Sequence, residues 1–145
     1  MKDEVEMKSR FQFTNPTLKE LLFKVIPETP ASDEEISLKF TLSGNIIREK
    51  KQPKAEVSLT FETGKEEKGY PFWLKATETA FFRWDSSMEE AEIDKMLRQN
   101  APALLLSYLR PAVAQVTGNS KFHAINIPFM NFVENDIFAG PEKVE

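Results

Sequence analysis

Residues 34–43 alternate, with Ile36, Leu38, Phe40 and Leu42 on one side and Ser37, Lys39, Thr41 and Ser43 on the other. Successive side chains of a strand point to opposite faces, so this pattern predicts a half-buried strand. Residues 55–62 repeat it, setting Ala55, Val57, Leu59 and Phe61 against Glu56, Ser58, Thr60 and Glu62, between turn signals at Gln52-Pro53 and Gly64. Residues 70–84 are rich in aromatic and β-branched types but alternate less cleanly, which predicts a strand covered on both faces or bent by a bulge. Upstream, Phe11, Phe13, Leu21, Phe23 and Val25 predict one bent edge strand, interrupted at Asn15-Pro16 because proline cannot donate to a ladder. The link from Pro27 to Glu34 has prolines and no apolar period, so it is expected to cross over the sheet. The other two connections are expected to be hairpins.

After Trp84 the period changes. Ser87 and Glu90 have capping-box spacing, and Glu89, Glu90 and Glu92 suit the positive end of a helix dipole, predicting a short helix to Gln99. Asn100 as cap and Pro102 in the first turn predict a second helix ending at Gly118. Pro111 inside it removes one hydrogen bond and crowds the Ser107 carbonyl, so a kink is expected there. That helix is apolar almost all round, at Leu104, Leu105, Leu106, Tyr108, Leu109, Ala112, Val113 and Val116, wider than the stripe of a surface helix. Its second burial partner is expected to be another subunit. Phe122 to Pro128 reads as extended, and Asn131 to Phe138 as a last helical stretch stopped by Gly140-Pro141. The expected fold is α+β, a four-stranded antiparallel sheet with C-terminal helices packed on one side, oligomeric. One domain spans residues 1–145, with a core over 11–138 and flexible ends at 1–10 and 139–145.

Composition narrows the chemistry. A chain of 145 residues can bury a core without staples. It has no cysteine, which excludes disulfides and thiolate chemistry and fits a reducing compartment, so a cytoplasmic protein is expected. Met1 to Arg10 mix acids and bases, unlike a secretory signal, and no apolar run reaches the ~20 residues of a membrane-spanning helix, so no membrane insertion is expected. A net charge of −4, with the one basic run, Arg48 to Lys54, between strands, argues against nucleic acid as a partner. Seven of the twelve phenylalanines lie in Phe72 to Trp84 and Phe122 to Phe138, some facing a core and the rest free to bind.

Catalytic constellations are missing from the pattern. His123 is the single histidine, with no cysteine or second histidine to work with, and reads as structural. There is no Gly-x-Ser-x-Gly elbow, and the five glycines are too scattered for a phosphate-binding loop. Asp33-Glu34-Glu35 and Glu89-Glu90 are accounted for by a loop and a helix start. No catalytic residue, metal site or cofactor is expected.

Ala101-Pro102, Leu104-Leu105, Tyr108 and Arg110, followed by Phe122, Ile125, Ile127 and Asn131-Phe132, resemble the SecB protein-export chaperone family in order and spacing. There a proline-containing helix with a tyrosine-bearing turn precedes a Phe-Pro-x-Leu-x-Leu run ending in Asn-Phe. The resemblance spans Phe11 to Phe138, its specific motifs lying in the C-terminal third. His123 stands where the family has proline, and Pro128-Phe129 is shifted one place from its second proline, marking a divergent member.

The resemblance implies an ATP-independent holdase that keeps unfolded or export-bound polypeptides in apolar grooves, and a homotetramer built as a dimer of dimers. It places Leu105, Tyr108, Leu109, Ala112, Val113 and Val116 in the subunit interface. Candidate client-binding residues are Phe40, Leu42, Phe72, Trp73, Phe129, Met130, Phe132, Val133, Ile137 and Phe138. The family's acidic sheet face, which meets the translocation ATPase, maps onto Glu20, Lys24, Trp73 and Lys75. Two expected negative charges are reversed there, which opposes that partnership. A dedicated chaperone for one partner, such as an antitoxin, is the second reading. A small-ligand-binding or enzymatic α+β domain with aromatics lining a closed pocket is the third.

Overall fold

The computed structural model describes residues 8–27, 39–138 and, as backbone, 143–144. Five strands pair antiparallel: β1 (Phe11–Phe13), β2 (Thr17–Val25), β3 (Phe40–Arg48), β4 (Lys54–Gly64) and β5 (Phe72–Trp84). A sixth, β6 (Lys143–Val144), joins β3 in parallel. The order is β1-β5-β4-β3-β6, with β2 also pairing β5. The expected single bent edge strand is therefore two strands, divided by the Asn15-Pro16 break and sharing one neighbour. Residues 28–38, including the expected start of the next strand at Ile36 and Leu38, lie outside the described residues. The described strand begins at Phe40 and runs on to Arg48. Because β2 and β3 lie on opposite sides of the β5-β4 pair, the chain does pass from one edge of the sheet to the other.

The alternation of β5 is strict. Phe72, Leu74, Ala76, Glu78, Ala80, Phe82 and Trp84 are buried, while Trp73, Lys75, Thr77, Thr79, Phe81 and Arg83 face the other side. The irregularity of the sequence pattern comes from two residues on unexpected sides, Glu78 inward and Phe81 outward. The bulge lies instead in β2, where the register shifts between Leu18 and Glu20. β4 contributes Ala55, Val57, Leu59 and Phe61 to the buried face. Its hairpin to β5 requires Gly64, whose φ is 75° and whose added Cβ would fall 1.9 Å from the Phe72 carbonyl oxygen.

Helical structure is continuous from Glu90 to Gly118: α1 (Glu90–Lys95), a π turn (Met96–Asn100) and α2 (Ala101–Gly118). The expected boundary at Asn100 is absent, for Asn100 is itself helical and makes no side-chain cap. Pro102 explains the wide turn. Its ring would crowd the carbonyl four residues back in an α-helix, and here the preceding N–H, that of Ala101, reaches back five residues to the Met96 carbonyl. The Ser87 capping box is also not formed. Ser87 donates both its N–H and its hydroxyl to Asp85 Oδ1, at 2.9 and 2.7 Å, and the helix begins after Glu89. The helix continues through Pro111, which faces outward.

Beyond Gly118 the chain is irregular. The last helical stretch expected over Asn131 to Phe138 is a single turn at 132–134, held by the Asn131 side chain, which accepts from the Val133 and Glu134 N–H groups. Helix and sheet close on one apolar core, in which α2 packs against β4 and β5.

Candidate functional site

The buried positions Ile93, Leu97, Ala101, Leu105, Leu109, Val113 and Thr117 follow each other every four residues. They set one helical face on the sheet. Leu105, Leu109 and Val113 have no accessible surface within the chain's own core. They are thus not available to a subunit interface, because the stripe they belong to covers the sheet. Of the expected interface residues, Tyr108 is 42% exposed and Ala112 and Val116 are half-buried. With half-buried Leu104 they form a second stripe at the same spacing, beside the first.

The segment after α2 is fixed to this scaffold at successive points. Buried Thr117 donates its hydroxyl to the Val113 carbonyl at 2.7 Å and accepts the Ile125 N–H at 2.8 Å. Phe122 meets Phe72, which in turn meets Phe23, with ring centroids 5.0 and 5.5 Å apart. Arg110 reaches the Ile127 carbonyl and lies over the Phe129 ring. Ile127 and Phe132 are buried. Arg98, from the π turn, bonds Asp94, Asp136 and the Phe138 carbonyl.

These anchors leave two large apolar side chains in solvent, Phe129 at 89% and Val133 at 71% exposure. Phe40, Leu42, Met130 and Ile137 are half-buried at the rim of the core. Such residues can receive an apolar surface without the backbone reorganising. Phe72, Phe132 and Phe138, expected to touch clients, are instead core residues, since inward strand parity or the post-helix anchors bury them. Trp73 is on the opposite sheet face, its Nε1–H donating to Glu62 Oε2 at 2.8 Å.

The family model for the preprotein translocase subunit SecB matches residues 6–139. The chain belongs to the SecB family. An uncharacterised protein of Methanocaldococcus jannaschii is 29% identical to this SecB-family chain over 135 residues, covering 88% of the chain and 83% of the relative. A Mycobacterium tuberculosis SecB-like chaperone, solved with a peptide from the HigA1 antitoxin, superposes with a TM-score of 0.62 at 15% identity. That match covers 83% of this chain and 91% of the other, and shows a common fold.

On the outer sheet face of this SecB-family protein, Glu20, Lys24, Trp73 and Lys75 lie together on β2 and β5, with Lys24 paired to Trp73 across the ladder. Both lysines are engaged. Lys24 pairs with Glu66, and Lys75 lies 3.6 Å from Glu20. Hydroxyls line the neighbouring rows, Thr60 to Thr77 at 2.7 Å and Ser58 to Thr79 at 3.1 Å. The face is therefore mixed in charge rather than acidic.

The inner face holds one buried carboxylate. Glu78 is 4% exposed, lies across the ladders from Leu18 and Leu59, and has no hydrogen-bond or ion-pair partner among the described residues. Burial raises its pKa above the ordinary carboxylate value. His123 is exposed, and among the described residues no three histidine or acidic side chains converge as a metal site. A depression lined by Lys39, Thr41, Glu62, Thr63 and Tyr70 carries a single aromatic side chain. No described helix is long and apolar enough to cross a membrane.

Sequence reasoning had no role for Gly44, Arg98 or Thr117. Arg110 appeared only as part of the family motif. The available signal was a lone cation in an apolar helix, a type that is buried only with partners.

Proposed function

We propose that this SecB-family chain is a chaperone rather than an enzyme, an ATP-independent holdase that binds unfolded polypeptides through apolar side chains. The observation that carries this reading is the pair Phe129 and Val133, displayed in solvent on a segment whose backbone is held at Ile125 and Ile127 and whose Phe132 is buried in the core. A fixed backbone with free apolar side chains favours binding, because little ordering entropy remains to be lost. The chain works as an oligomer, a dimer of dimers in the cytoplasm, with Leu104, Tyr108, Ala112 and Val116 as the helical surface for self-association.

A dedicated role for one partner is favoured over general export by a specific observation. Lys24 and Lys75 stand on the sheet face expected to be acidic for translocase docking, and the structural relative from Mycobacterium tuberculosis was solved with an antitoxin peptide. Export chaperoning predicts a complex with the translocation ATPase, and dedication predicts protection of one protein.

The test measures aggregation of urea-unfolded proteins diluted into buffer with and without this chain, together with its mass by light scattering. Suppression at stoichiometric amounts, by an oligomer and without ATP, is the expected result. A monomer that protects nothing would sink the proposal.

A further inference from the structure

Phe138 sits directly on Gly44 of β3. A Cβ built at Gly44 would fall 2.3 Å from Phe138 Cε1 and 2.9 Å from Cδ1 and Cζ, so only glycine leaves room for the ring. Gly44 lies between Leu42 and Ile46 on the inward face, and together they make a notch with apolar flanks. The ring fills it and is only 7% exposed.

Besides the burial of its ring, Phe138 is held by polar contacts at its backbone. Its carbonyl accepts from Arg98 Nη1 at 3.0 Å, its N–H donates to Asp136 Oδ1 at 2.9 Å, and Asp136 meets Arg98 Nη1 at 3.1 Å. The Asp136 side chain is 53% exposed and that of Arg98 19%, so water reaches the pair from the Asp136 side and weakens it there. Farther along, Lys143 and Val144 pair in parallel with Ile47 and Arg48. Two residues make a weak strand. Among the described residues nothing else pairs with that edge of β3, so the backbone from Phe40 to Ile46 offers its ladder groups to a newcomer.

We infer that Asp136 to Phe138 and Lys143 to Val144 are a resident stand-in for a client, seating an aromatic side chain on Gly44 and a short parallel strand on the β3 edge until an extended polypeptide displaces them. The inference rests on the polypeptide-binding reading above and adds its regulation. It also names the ligand chemistry: an extended chain with one aromatic side chain for the notch and backbone groups for the edge. A client lacking the aromatic has no means of replacing Phe138.

The test uses the full chain and two fluorescein-labelled peptides of alternating valine and threonine, one with a central phenylalanine and one with alanine in its place. If the stand-in is seated nine times in ten, releasing it tightens apparent binding about tenfold. Phe138→Ala should therefore bind the phenylalanine peptide about tenfold more tightly than wild type, with the alanine peptide still the weaker of the two for want of a ring in the notch. Asp136→Asn, at an exposed position that leaves the core intact, should tighten it in the same direction. Gly44→Val, which fills the notch itself, should weaken it. Amide exchange at Ile47 and Arg48 should quicken in Asp136→Asn and slow again with peptide.

If wild type binds the phenylalanine peptide and Asp136→Asn binds it no more tightly, the stand-in is overturned while the binding reading survives. Gly44→Val binding like wild type would overturn it too. If neither wild type nor any variant binds either peptide, the binding reading fails, and the inference falls with it.

Discussion

The Arg110 guanidinium carbon lies 4.5 Å from the centroid of the Phe129 ring, while Arg110 Nε–H donates to the Ile127 carbonyl at 2.8 Å. One side chain thus pins the backbone and orients an exposed aromatic two residues on. A planar, delocalised cation is suited to both tasks, and lysine is not. Arg110→Lys should weaken binding of an unfolded client about two- to fivefold, the equivalent of losing one exposed cation–π contact. Titration of a labelled client by anisotropy measures it.

Phe129→Ala should cost more. Fully burying a phenylalanine side chain is worth about 1.5–3 kcal/mol, so its loss should weaken client binding about 10- to 100-fold. The free protein should hardly notice, because the ring is in solvent. The melting temperature should stay within a few degrees, and a large fall would show that the ring supports the fold instead.

Thr117→Val keeps the shape and removes both hydroxyl bonds. The Ile125 N–H would be left without its acceptor in a partly buried place, at a cost of about 1–3 kcal/mol. Urea unfolding with an unchanged m-value would report that cost, and amide exchange near Ile125 should rise.

Tyr108 and Leu109 are neighbours with opposite duties. Leu109→Ala empties space in a core position without accessible surface and should destabilise the chain by about 2–5 kcal/mol. Tyr108→Ala should change the stability of the single chain by about 0.5 kcal/mol or less, yet lower the mass seen by light scattering. An unchanged mass would remove the second stripe from the assembly surface.

The Glu78 carboxyl has a raised pKa from burial beside Leu18 and Leu59. Below the ordinary carboxylate pKa both folded and unfolded forms carry the proton, so ionisation costs no stability there. As pH rises above that value the unfolded chain ionises first, and stability falls until the pH passes the folded pKa. Glu78→Gln should therefore raise the melting temperature at neutral pH, and the gain should vanish toward acid. A gain independent of pH would mean that packing, not ionisation, is responsible.

Strand existence and facing were legible wherever a row of side chains obeyed parity, as at Val57, Leu59 and Phe61. They were obscured where the chain departs from it, and β5 looked irregular only because Glu78 and Phe81 carry the wrong polarity for their sides. The helix boundary at Asn100 misled because Asn followed by x-Pro has the chemistry of a helix start, and a π turn satisfies the same residues without one. Of the ten client candidates, Phe40, Leu42, Phe129, Met130, Val133 and Ile137 stay at the surface or the rim of the core, and Trp73 lies on the opposite sheet face. Phe72, Phe132 and Phe138 are core because phenylalanine content alone does not say which ring turns inward, and Phe138 on Gly44 is a contact between distant parts of the chain.

The π turn also sets the phase of the helix. Buried side chains from Ile93 to Thr117 recur every fourth residue, whereas an α-helix repeats every 3.6 and would let such a row slide about 40° around the axis at each step. A turn that closes over five residues instead of four rotates the row back and absorbs part of that drift. Closing the same five residues as ordinary α-helix, with none removed, would turn α2 by about 100° relative to α1, carrying Leu105 and Leu109 off the sheet and the Tyr108 stripe toward it. One surplus residue keeps the inward and outward sides of this helix apart.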